Sequence, residues 1–97
     1  MKKLFISQPM RGKTDEEILA ERLTAKAEAE ARLGEPVEVI DSFFAGTNAA
    51  PLELLGESLK LLYRADMAYF AAGWEEARGC KIEWACAEAY GIPYIAK

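Results

Sequence analysis

Four short apolar runs alternate with three longer helical ones, and this alternation is the feature that most narrows the fold. Residues 3–7 (Lys-Leu-Phe-Ile-Ser), 37–40 (Val-Glu-Val-Ile), 67–71 (Met-Ala-Tyr-Phe-Ala) and 92–96 (Ile-Pro-Tyr-Ile-Ala) have strand length. A proline near the start of the last run points to an edge strand, since proline cannot donate to a ladder.

Each intervening run carries helix signals. Thr14 with Glu17 three residues on fits a capping box, and Asp15 and Glu16 suit a first helical turn. Ile18, Leu19, Leu23, Ala27 and Ala31 are its expected apolar stripe, its charges are expected to be a solvated face, and Gly34 with Pro36 supplies the stop. Pro51 can open a second helix, running through Leu52, Leu55, Leu59 and Leu62 to about Arg64. A third spans about residues 79–90 and ends at Gly91.

A β-α-β-α-β-α-β order implies a parallel sheet with right-handed crossovers. With helices on both faces, the expected fold is a three-layer α/β domain, flavodoxin/Rossmann-like, with a four-stranded parallel sheet in the order 2-1-3-4. Such sheets bind ligands outside the carboxyl ends of their strands at the switch point, here between strands one and three. The loops at that crevice are residues 7–13 and 72–78.

Composition limits the chemistry. Ninety-seven residues make one domain, and 52% apolar content is enough for a core. A chain this short buries a modest share of its surface, so a homo-dimer or higher homo-oligomer is expected. A net charge of −4 argues against a nucleic acid polymer as partner, which needs a basic face. It leaves room for a nucleotide met by one or two cations. The apolar runs are far short of a membrane span, and the run behind Lys2 and Lys3 is too short for a signal peptide. No membrane partner and a cytoplasmic location are the simplest expectations. Cys80 and Cys86 lie six residues apart on one helix and point to different sides, so both are expected reduced. With no histidine, a zinc site has almost no ligands to draw on, and His-activated nucleophiles are excluded.

Residues 73–83, Gly-Trp-Glu-Glu-Ala-Arg-Gly-Cys-Lys-Ile-Glu, join the third strand to the third helix. A strand, a glycine-bounded loop and a helix bring backbone N–H groups to a ligand. Glu83 sits about one turn into that helix, where the dipole favours an ionised carboxylate. It reads either as a nucleophile or base facing the crevice, or as a charge that only complements the dipole. Arg11, in a Pro-Met-Arg-Gly loop, reads either as a fork for phosphate or carboxylate or as a surface cap for carbonyls. Trp74 could stack on a base or cover the sheet edge. Residues 42–48, Ser-Phe-Phe-Ala-Gly-Thr-Asn, could cover a ligand or form a buried plug or subunit contact. No phosphate-loop or dinucleotide glycine pattern is present.

Three stretches together carry a resemblance: Phe5-Ile-Ser-Gln-Pro-Met-Arg-Gly, Ala65-Asp-Met-Ala-Tyr-Phe, and residues 73–83 followed by Trp84-Ala-Cys-Ala-Glu-Ala-Tyr-Gly-Ile-Pro. The chain resembles the nucleoside 2-deoxyribosyltransferase-like superfamily, in particular its small bacterial and phage members, over residues 1–97 in order and spacing. The resemblance implies a compact oligomeric domain that cleaves N-glycosidic bonds of a nucleoside or nucleoside 5′-monophosphate without a cofactor or metal. It matches Glu83 to the nucleophile that forms a glycosyl-enzyme. It matches Arg11 to the phosphate- or sugar-contacting cation. Ser7, Gln8, Met10, Gly12, Gly73, Trp74 and Gly79 complete the implied substrate site.

Three departures stand against it. Ser58 occupies the position of an aspartate that helps protonate the leaving base, which leaves Ser58 and Asp66 as auxiliary candidates. Ala77 replaces a phosphate-contacting serine, and Phe5 an aromatic hydroxyl. A kept nucleophile with a lost acid points either to an altered or weak N-glycosidase or deoxyribosyltransferase, or to a non-catalytic nucleotide or nucleotide-signal binder.

Overall fold

The computed structural model describes residues 1–42 and 50–97. Phe43 and Phe44, with the rest of the expected covering loop beyond Ser42, lie outside the described residues. Strands β1 (Lys2–Ser7), β2 (Val37–Val39), β3 (Met67–Phe70) and β4 (Tyr94–Ala96) alternate with helices α1 (Asp15–Leu33), α2 (Pro51–Leu62) and α3 (Arg78–Ala89). All strand pairs are parallel and the order is β2-β1-β3-β4. This is the flavodoxin-like arrangement expected from the alternation, with β4, just after Pro93, at an edge. Ser7 pairs with Phe70 and Phe70 with Ala96, so three carboxyl ends form one row.

Local signals set the helix ends. The Glu17 N–H donates to Thr14 Oγ1 at 3.1 Å and the Thr14 N–H to Glu17 Oε1 at 3.0 Å, a complete capping box. Gly34 closes α1 in the left-handed conformation, φ 73°, where a side chain would be strained. Pro51 opens α2 at its first turn.

Alternating side chains bury both faces of the sheet. Leu4, Ile6, Met67 and Tyr69 pack with Ala25 and Ala29 of α1. Phe5, Ala68 and Phe70 pack with Leu62 of α2 and Ala87 of α3. Among the described residues, no helix is long and apolar enough to cross a membrane.

Two helix faces differ from the sequence expectation. On α1 the buried stripe is Ile18, Arg22, Ala25 and Ala29, whereas Leu19 and Leu23 are 51% and 71% exposed and Ala27 and Ala31 lie outside it. Small alanines win because they let the helix approach the sheet closely. The helix's charges are therefore not all a solvated face, since Arg22 is buried. On α2 only Leu62 is fully buried, and Leu59 packs against the same cluster. Leu52 and Leu55 line an open cavity instead of the core.

Candidate functional site

One residue step at the end of β1 sends two polar side chains to opposite faces of the sheet, because strand side chains alternate. Ser7 follows Phe5 toward α2 and α3. Its Oγ–H donates to Glu83 Oε1 at 2.6 Å, and both side chains are buried. Gln8 follows Ile6 toward α1, where its Nε2 donates to Glu21 Oε1 at 2.7 Å and Ile18 O at 3.2 Å.

Glu83 shares the buried face of α3 with Cys80 and Ala87, at the helical spacing of three and four residues. Burial pushes its carboxyl above the ordinary value of 4.5, while the hydroxyls of Ser7 and Ser58 favour the charged form. The helix dipole favours the ionised carboxylate, whereas burial shifts the carboxyl the other way. The residue stands five positions after the first of α3, and the dipole's effect fades beyond the first turn.

Glu83 forms part of the wall of an open cavity of about 750 Å³. That volume lies within the range of small-molecule sites. Among the described residues it is built by the end of β1 through Met10, by Ser42, by Ala50 with the first two turns of α2, and by residues 77–83. The walls are mainly apolar, with Pro9, Met10, Leu52 and Leu55 among them, and Ser7, Ser58 and Glu83 supply polar groups. At one side lie Ala77, Arg78, Gly79 and Cys80. No side chain caps the N-terminus of α3. Its first-turn N–H groups and the Arg78 guanidinium therefore supply the positive character an anionic group would need.

The two loops singled out in the sequence do approach each other. A Cβ at Gly73 would stand 3.5 Å from Pro9 Cγ. Ser7, Gln8, Met10, Ser58, Gly79 and Glu83 come together around the one cavity. Arg11 and Gly12 are exposed in the turn beyond it and do not line it. Gly73 takes φ 88° and serves the backbone turn out of β3.

Trp74 does not line this cavity and packs beside β4 at the sheet edge. Its indole stacks on Trp84 with ring centroids 5.4 Å apart, and its Nε1–H donates to Lys97 O at 3.0 Å. Asp66 precedes β3, at the amino end of the sheet, where it accepts the Lys3 N–H at 2.7 Å. As an auxiliary acid it is therefore on the wrong side of the sheet, because parallel strands put their carboxyl ends at the opposite edge.

Three contributors escaped the sequence reading. Arg78 was passed over as a loop cation, and its place at the uncapped start of a helix was the available signal. Cys80 was expected only to be reduced, and its buried side chain also borders the cavity. Burial pushes the Cys80 thiol up, Ser7 opposes this, and the nearby Glu83 adds to it.

Arg22 had no sequence signal. Its Nη1 donates to Gln8 Oε1 at 3.0 Å, and its Nη2 to Ile40 O at 2.9 Å and Ser42 Oγ at 3.4 Å. Ser42 Oγ in turn donates to Ile6 O at 3.4 Å. One guanidinium thus ties the carboxyl ends of β1 and β2 beneath the cavity. Burial works against its charge and Asp41 supports it.

No group of His, Cys, Asp and Glu among the described residues could hold a metal ion. No protein-family model, curated protein or solved structure matches the chain.

Proposed function

We propose that this chain is a nucleoside 2-deoxyribosyltransferase-like domain that cleaves the N-glycosidic bond of a nucleoside or nucleotide, with Glu83 as nucleophile. The observation that carries the reading is the Ser7–Glu83 hydrogen bond in the wall of a ligand-sized cavity at the sheet's switch point. The motif resemblance, the parallel α/β fold and the placement of Ser7 and Glu83 in one wall are mutually consistent.

In this reading the sugar's anomeric carbon meets Glu83 while Ser7 and Ser58 hold the carboxylate and favour its charged form. The attack splits one displacement into two easier ones, and the carboxylate stabilises oxocarbenium-like charge. Arg78 and the α3 N-terminus take a 5′-phosphate, the role first expected of Arg11. Met10, Leu52 and Leu55 give the apolar wall for the base.

One observation favours a second reading, a nucleotide binder without turnover. Among the described residues, Glu83 is the one carboxylate lining the cavity, so no second carboxyl stands ready to protonate a leaving base. The test is to incubate the protein with ribo- and deoxynucleosides and their 5′-monophosphates and score free base by chromatography. Base release that disappears in Glu83→Gln supports the enzyme. Ligand-specific thermal stabilisation without release supports the binder.

A further inference from the structure

Two features of the cavity bear on the kind of leaving group it can handle. The first is the charge balance at Glu83. The side chain is 7% exposed, and no ion pair among the described residues reaches it. Residues 43–49, Phe-Phe-Ala-Gly-Thr-Asn-Ala, carry no ionisable side chain that could supply one. A buried carboxylate supported only by hydroxyls is costly to ionise, and a cationic ligand would offset that cost.

The second is the supply of protons. Apart from Glu83, the titratable side chains of the cavity wall are Arg78 and Cys80. An arginine does not give up its proton. The buried Cys80 thiol is pushed up, away from the neutral range in which a general acid works best. Serine hydroxyls are weaker acids still. A neutral base departs with an electron pair on nitrogen and needs a proton there. A base that is already cationic leaves neutral and needs none.

We infer that the site takes N-glycosides with a positively charged leaving group, such as N-ribosylpyridinium nucleosides and nucleotides, with Glu83 serving as both nucleophile and counter-ion. This inference rests on the glycosidase reading above and names its substrate class. A Glu83 carboxylate oxygen bonds to the anomeric carbon as the carbon–nitrogen bond breaks. The electron pair of that bond passes to the ring nitrogen, which becomes neutral. The positive ring and the negative carboxylate are discharged together, and no proton moves. Water then bonds to the anomeric carbon, the ester's electron pair returns to Glu83, and the water releases one proton to solvent.

The test uses the wild-type chain with nicotinamide N-riboside 5′-phosphate against inosine and 2′-deoxyadenosine 5′-monophosphates, with free base measured from pH 5 to 10. The expected result is a kcat/KM at least about a hundredfold higher for the pyridinium, the low end of what a general acid contributes to a reaction that needs one. For the pyridinium, kcat/KM should rise with pH as Glu83 ionises and reach a plateau with no falling limb. Glu83→Gln should abolish release and weaken pyridinium binding at least about tenfold, the scale of a lost charge-assisted contact, with little change for the neutral-base nucleotides. Glu83-dependent release that favours the neutral bases, or a falling limb with the pyridinium, overturns the inference and leaves the glycosidase reading intact. Absence of Glu83-dependent release from every compound removes both. The substrate comparison needs only the wild-type chain, so it stands even if Glu83→Gln fails to fold.

Discussion

The Ser7 hydroxyl donates to Glu83 Oε1 at 2.6 Å, linking the end of β1 to the buried face of α3 across 76 positions of sequence. The bond favours the charged carboxylate that burial disfavours. Removing it should therefore leave Glu83 harder to ionise. Ser7→Ala is expected to move the acid limb of any Glu83-dependent rate to higher pH and to lower the rate at neutral pH by about tenfold, the scale of a charge-assisted hydrogen bond. A pH–rate profile for wild type and variant checks this. An unmoved limb would show that Ser7 does not set the state of Glu83.

Glu83 also makes stability depend on pH with a definite sign. Its folded carboxyl lies above the ordinary 4.5, so in that window the folded state binds more protons than the unfolded one. Its contribution is fully present below 4.5 and is lost as pH rises through the folded value. Glu17 and Glu28 are lowered and slope the other way, so the comparison must isolate Glu83. Urea unfolding of wild type and Glu83→Gln across this window should show wild type losing stability relative to the variant as pH rises. Parallel curves would contradict the assignment.

Arg22 and Arg11 should behave oppositely in unfolding. Arg22→Ala orphans Gln8 Oε1 and Ile40 O below the cavity, with an expected loss of about 3 kcal/mol. Arg22→Lys should recover only part of this, since an ammonium cannot reproduce the guanidinium fork. Arg11→Ala, at an exposed turn, should change stability by less than about 0.5 kcal/mol. Denaturant midpoints decide it, and an Arg22→Ala protein as stable as wild type would refute the staple.

Arg78 and Arg11 should separate in binding. Arg78→Ala is expected to weaken a nucleoside 5′-monophosphate about tenfold while leaving the parent nucleoside nearly unchanged, as the loss of one charge-assisted contact requires. Arg11→Ala should leave both nearly unchanged. Titration calorimetry would show the reverse pattern if Arg11 were the anion contact.

Gly73 and Gly79 bracket the same loop for different reasons. Gly73, at φ 88°, holds a left-handed turn, so Gly73→Ala should cost about 1–2 kcal/mol. Gly79 is helical with nothing within 4 Å of an added Cβ, so Gly79→Ala should add up to about 1 kcal/mol of stability. Thermal unfolding of both variants checks the opposite signs.

The sequence by itself determined the elements, because their signals are local. Thr14 with Glu17, Gly34, Pro51 and the short apolar runs each act within a few residues, and the parallel order follows from their alternation. It also brought Ser7, Ser58 and Glu83 forward as members of one site. Only the tertiary structure decided which helix face meets the sheet. Leu19 and Leu23 had the stronger apolar signal, but close approach to the strands selected Ala25 and Ala29 and left room for a buried Arg22. Asp66 directly precedes β3, so its place at the amino end could be read from the sequence, whereas the packing of Trp74 on Trp84 beyond the cavity wall could not. The direction in which the Glu83 carboxyl is shifted also came from the tertiary structure. A helix dipole can be read from sequence, but the desolvation that pushes this carboxyl up arises only when β1, α2 and α3 close around it.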